Sequence, residues 1–103
     1  MIIEYENEDI KNLILHNYIG KYKKLKSSAV LIRDLDKVIR YIGIAKDIDS
    51  LSKIGSLHYE RLKGCDNSSV RVGYNTKYRL IFHEEFNKVT IKLIELSEHY
   101  GDH

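Results

Sequence analysis

Cysteine occurs once, at position 65, and proline not at all in this chain of 103 residues. A single thiol excludes an intramolecular disulfide and leaves no cysteine pair for a zinc-ligand spacing. The histidines stand at 16, 58, 83, 99 and 103, never as HxxxH or HExxH, so no metal site is expected. Long apolar runs are missing too. The longest is Ala29-Val30-Leu31-Ile32, far short of the ~20 residues that cross a bilayer. No repeat, low-complexity tract or Pro/Gly/Ser-rich linker divides the chain, so residues 1–103 are expected to form one domain. The first ten residues carry four acids and no base, unlike a secretory or transit peptide. These absences lead to the expectation of a cytoplasmic protein with no membrane partner, no metal and no cofactor.

What is present is ordinary for a globular domain, with 43% hydrophobic and 31% charged residues. The net charge is only +2, but it is unevenly spread. Residues 20–40 hold seven bases against two acids, and residues 57–83 hold five against two. Two basic segments on a nearly neutral chain suggest a surface that faces a polyanion. The plainer reading of residues 20–40 is a solvated lysine-rich helix back.

The hydrophobic period changes along the chain. Ile2–Tyr5 reads as a short opening strand. Ile10, Leu13, Ile14 and Tyr18 then recur at helical spacing, with Asn7 or Asn12 as the cap. Ser27-Ser28 offer the next cap, and Leu31, Leu35, Val38 and Ile42 mark a second helix over about residues 28–46. Residues 47–56 read as a loop with one helical turn around Leu51.

After Gly55 the period becomes two. Strands are predicted over Leu57–Lys63, Ser69–Val72, Lys77–Glu85 and Lys88–Leu96. Val70, Val72, Leu80, Phe82, Val89, Ile91 and Leu93 should point inward, and Arg71, Arg79, Ile81 and His83 toward the opposite face. The order β-α-α-β-β-β-β implies an α+β fold, two N-terminal helices packed on one face of a small, mainly antiparallel sheet.

The open face of that sheet, or its rim, should carry Lys63, Ser69, Arg71, Arg79, Glu95, His99 and Tyr100. Arg71 and Arg79 lie on consecutive strands joined by a tight turn and could form a phosphate clamp. The competing reading is that they pair with strand neighbours such as Glu95. Cleavage of an RNA phosphodiester needs a base for the 2′-OH, cations for the phosphorane and an acid for the leaving oxygen. Glu95, His99 or Tyr100 could move the protons, and Lys63, Arg71 and Arg79 could supply the cations. Tyr74 in the turn could stack a base, with Asn75 and Lys77 beside it. Tyr78, which alternates with Leu80 and Phe82, is better read as core. Cys65 is read as a packing or surface thiol.

Leu62-Lys63-Gly64, Ser69-Val70-Arg71-Val72 and Lys77-Tyr78-Arg79-Leu80-Ile81-Phe82 follow one another at short intervals. Together they resemble the HigB-type killer branch of the RelE/ParE toxin superfamily, whose pattern is L-K-G, then S-V/I-R-V/I-N, then Q-Y/W-R-I/L-x-F. The ending Leu93-Ile94-Glu95-Leu96-Ser97-Glu98-His99-Tyr100 resembles a subgroup of the same branch. The likeness covers residues 57–100 well and the helical half in outline.

The resemblance implies a type II toxin held in check by a cognate antitoxin, often a helix-turn-helix protein of the HigA kind. It also implies a ribosome-dependent endoribonuclease acting on mRNA, with phosphate contacts at the positions of Arg79 and Lys63. The chain departs from the branch in two places. Gly73 stands where an asparagine is usual, and Glu95-Leu96-Ser97 stands where the branch has D-Y-H. Either His99 and Tyr100 replace that triplet two positions later, or the acid-base groups differ. Two other classes share the reading: a non-catalytic ParE-like gyrase inhibitor, and an inactive RNA-binding or interaction module.

Overall fold

The computed structural model describes residues 1–16, 29–64, 66–73 and 78–96. Strand β1 (Ile2–Tyr5) leads into helix α1 (Glu8–His16). Asn7 is the cap: its Oδ1 accepts the Ile10 N–H at 3.0 Å, and Glu8 and Asp9 sit in the first turn, where the helix dipole favours acids. The apolar stripe of α1 buries Ile10, Leu13 and Ile14. Tyr18 and the Ser27-Ser28 cap fall outside the described residues. Helix α2 (Ala29–Ile44) buries Leu31, Leu35, Val38 and Ile42, as their spacing requires.

A third, short helix, α3 (Ile48–Ser52), forms around Leu51. Asp47 caps it by accepting the Ser50 N–H at 2.8 Å, and that bond holds the Asp47 carboxyl below its ordinary range. Among the described residues, no helix is long and apolar enough to cross a membrane.

Four further strands follow: β2 (Glu60–Arg61), β3 (Asn67–Arg71), β4 (Tyr78–Glu84) and β5 (Lys88–Leu96). The sheet order is β1-β5-β4-β3-β2, with β1 parallel to β5 and the other pairs antiparallel. The result is a mixed α+β fold with a five-stranded sheet and three helices. Leu13, Leu35 and Val38 share one core with Val70, Val72, Leu80 and Phe82, and Val89, Ile91 and Ile94 complete it. Tyr78 packs against that core, as its alternation with Leu80 and Phe82 required. Each such side chain contributes ~1.5–3 kcal/mol by leaving water.

Two strand expectations need correction. Leu57–Lys63 is not a continuous strand. Gly55–Leu57 forms a 3-10 turn, and only Glu60–Arg61 pairs with β3. The cause is His58, whose backbone is left-handed at φ 46°, a conformation no extended strand can contain. The hairpin after β2 then closes through Leu62 N–H to the Asn67 carbonyl at 2.9 Å, with Gly64 at φ 79°.

The second correction concerns Leu93, which is 38% exposed while Ile94 is buried. Ile81 pairs with Leu93 but Phe82 pairs with Ile91, so Lys92 is an extra residue in β5. This bulge shifts the alternation by one and turns Leu93 outward.

Candidate functional site

Arg71, Arg79 and Glu95 lie in one row across β3, β4 and β5, since Arg71 is directly opposite Arg79 and Arg79 opposite Glu95. Side chains opposite one another share a face, and here it is the face away from Leu80 and Phe82. The juxtaposition expected from the sequence therefore holds for these three residues, but their surroundings differ sharply.

Arg79 is not on an open face. It is 6% exposed. Its Nε donates to Ser69 Oγ at 2.9 Å, one terminal nitrogen donates to the His58 carbonyl at 2.6 Å, and the same nitrogen lies 4.0 Å from the Glu60 carboxylate. The segment after the 3-10 turn supplies both oxygen partners and covers the guanidinium. A buried cation needs such partners, because leaving water unpaired costs several kcal/mol. Ser69 is itself fully buried, so this contact is part of the fold.

Arg71 is half-buried and meets a different environment. Near the end of β3 it lines a cleft of about 250 Å³ together with Asp34, Lys37, Val38 and Tyr41 of α2 and Leu57 and His58 of the 3-10 segment. Among the described residues, Arg71, Lys37 and Asp34 form no ion pair. The lining thus combines two basic residues and one acidic residue, none of them ion-paired among the described residues, with the apolar Val38 and Leu57. The carbonyl of His58 is the group Arg79 holds, so the buried arginine fixes a segment that also lines this cleft.

His58 and the α2 residues were not among the candidates read from the sequence. No spacing rule marks His58, and only its left-handed backbone sets it apart. Asp34, Lys37 and Tyr41 follow helical spacing with nothing local to connect them to β3. Lys63 is exposed in the hairpin turn between β2 and β3 and does not line the cleft. Glu95 is exposed at the end of the row. Tyr74, Asn75, Lys77, His99 and Tyr100 lie outside the described residues, as does Cys65.

A second polar cluster is closed on itself. The Glu84 carboxylate accepts from the Tyr59 hydroxyl at 2.5 Å and from Ser68 Oγ at 2.8 Å, and lies 3.2 Å from an Arg61 nitrogen. Burial, and then the bond to Glu84, push the Tyr59 hydroxyl above its ordinary pKa. With each partner satisfied, this network braces β2, β3 and β4. Among the described residues no three His, Cys, Asp or Glu side chains converge on a possible metal position. Neither a protein-family profile nor a curated protein matches the chain.

Proposed function

We propose that the protein is the toxin of a type II toxin-antitoxin system, a RelE/ParE-like endoribonuclease that cuts ribosome-bound mRNA in the cytoplasm and needs no metal. The finer architecture belongs to the same proposal: two helices on one face of the sheet, an arrangement supported by the single core that joins α1 and α2 to β3, β4 and β5. The observation that carries the reading is the cleft lined by Arg71, Lys37 and His58, the two cations having no ion pair among the described residues.

In the proposed reaction the 2′-oxygen of one nucleotide attacks the adjacent phosphorus. The bond from phosphorus to the 5′-oxygen breaks, leaving a 2′,3′-cyclic phosphate and a 5′-hydroxyl. Arg71 neutralises the added charge on the phosphorane. One group takes the 2′-OH proton and another protonates the departing oxygen. The candidates are His58, which lines the cleft, together with Glu95, His99 and Tyr100. Lys63, Tyr74, Asn75 and Lys77 contact the RNA on either side. Arg79 supports the reaction by holding the His58 segment. The partner is a HigA-like antitoxin that covers the basic surface.

The test is primer extension on mRNA from cells expressing each variant, with a melting curve of the purified protein. Arg71→Ala is expected to reduce cleavage by ~10²–10³ while the fold survives, the usual loss for one positioned charge stabiliser. EDTA should change nothing. Cleavage by Arg71→Ala equal to the parent would refute the assignment. The burial of Arg79 favours a second reading, a non-catalytic interaction module or ParE-like gyrase inhibitor, because one of the two expected phosphate contacts is committed to the fold. Filamentation and DNA damage on expression, without mRNA cuts, would favour that alternative.

A further inference from the structure

We infer that His83 is a pH-sensitive pin that, when its ring is protonated, ties the turn before β3 to the turn after β4. The inference goes beyond the ribonuclease reading and does not depend on it. It concerns how firmly the hairpin that carries Lys63 is held.

His83 lies on the sheet face away from Phe82, directly opposite Asn67 of β3 and Thr90 of β5. Its side chain is 35% exposed, so the ring exchanges protons with water. Nδ1 lies 3.0 Å from the Asp66 carbonyl. A carbonyl only accepts, so Nδ1 carries the hydrogen and the neutral ring keeps its lone pair on Nε2. That lone pair faces the Glu85 carboxylate at 3.8 Å, and two acceptors gain nothing from each other. Protonation reverses this. Nε2–H then meets the carboxylate as an ion pair while Nδ1–H keeps the Asp66 carbonyl, so the imidazolium has an acceptor on each side. Because β3 and β4 are antiparallel and Asn67 is opposite His83, both acceptors stand at the same end of the sheet.

The other charged groups around the ring are engaged or titrate elsewhere. The exposed Asp66 carboxylate lies 3.7 Å from Arg61 in the same hairpin. On the far side of the groove Lys92 is held by Glu6 at 3.2 Å. Glu85 also meets Lys88 at 3.2 Å, and Lys88 reaches Glu4 at 3.3 Å. Carboxylates titrate near ~4 and ammonium groups near ~10, so between about pH 5 and 8 His83 alone among these groups changes charge. The Glu85 contact is therefore made at the acid end of that window and lost as pH rises. Partly exposed pairs are weak, which sets its size at ~1.5–5-fold in an opening or unfolding equilibrium.

The experiment uses the isotope-labelled full chain. Proton–nitrogen NMR of the His83 ring should show hydrogen on Nδ1 alone at about pH 8 and on both nitrogens at about pH 5. A solvated imidazole favours hydrogen on Nε2, and finding that form at the higher pH would overturn the inference. Urea unfolding of His83→Gln, Glu85→Gln and the double variant forms a cycle that isolates the pair. Coupling of ~1.5–5-fold is expected at the lower pH and none at the higher. Equal coupling at both, or none at the lower pH, would overturn the pin. The Leu62 amide, which closes the hairpin on the Asn67 carbonyl at 2.9 Å, gives the local readout. Its hydrogen-exchange protection, corrected for the intrinsic rate, should rise on acidification by a similar factor in the parent and stay flat in His83→Gln. A rise of the same size in His83→Gln would assign the effect to another group and remove the inference.

Discussion

At Arg79 the guanidinium is enclosed by Ser69, the His58 carbonyl and Glu60, whereas its direct neighbour Arg71 lines a cleft in which neither it nor Lys37 nor Asp34 has an ion-pair partner among the described residues. The contrast extends to the β1–β5 side of the sheet. There Lys88 lies 3.3 Å from Glu4 and 3.2 Å from Glu85, and Lys92 lies 3.2 Å from Glu6. Contacts with those carboxylates, Glu85 first, hold the Lys88 ammonium above its ordinary pKa. Where the molecule needs charges for its own structure, it pairs them. In the cleft lining, Arg71, Lys37 and Asp34 have no such pairing among the described residues.

The largest expected effect tests the two arginines directly. Arg79→Ala removes a buried cation and leaves Ser69 Oγ and the His58 carbonyl without it, so the fold should lose roughly 2–4 kcal/mol. Arg71→Ala should stay within about 0.5 kcal/mol, because no partner is left behind. Urea unfolding of both variants measures the difference, and equal losses would erase the contrast. The sequence-based expectation was the opposite for Arg79, since an exposed charge on an open face contributes little to stability.

A smaller effect is expected on the paired side. Lys92→Ala should cost less than about 1 kcal/mol and less still in high salt, as partly exposed ion pairs are screened. Melting curves at two ionic strengths measure it. The smallest effect concerns Asp47. Its folded pKa is lowered by the bond from Ser50, so its stabilising contribution is present above the unfolded value near ~4 and is lost as pH falls through the folded value. Asp47→Asn should flatten the acid limb of the stability profile, losing the Asp47 contribution at neutral pH and converging with the parent below about pH 4.

The strands β1, β3, β4 and β5 were legible because half-buried strands alternate, and the helices because their apolar positions recur at 3.6 residues. Alternation also put Arg71 and Arg79 on one face. It could not show that residues 58–60 fold over one of them, because that covering depends on a left-handed histidine, a conformation few sequences announce. The bulge at Lys92 was hidden for a similar reason: an inserted residue leaves the apolar composition of β5 intact and changes only its phase. The cleft was half legible. Arg71 carried a local signal, while Asp34, Lys37 and Tyr41 join it only through the packing of α2 beside β3.

The sheet order β1-β5-β4-β3-β2 also governs when the fold can be completed. Strand β5 is made after the other four, yet it lies between β1 and β4. Until residues 88–96 have been synthesised, β1 has no neighbour to pair with, and only the β2–β3–β4 meander can form. The earliest segment must therefore wait for the latest, across a separation of nearly the whole described chain. Such non-local closure slows folding relative to local hairpins. It also makes completion of the sheet wait for β5, so that Glu95 joins the Arg71–Arg79 row at the same step that seals the core.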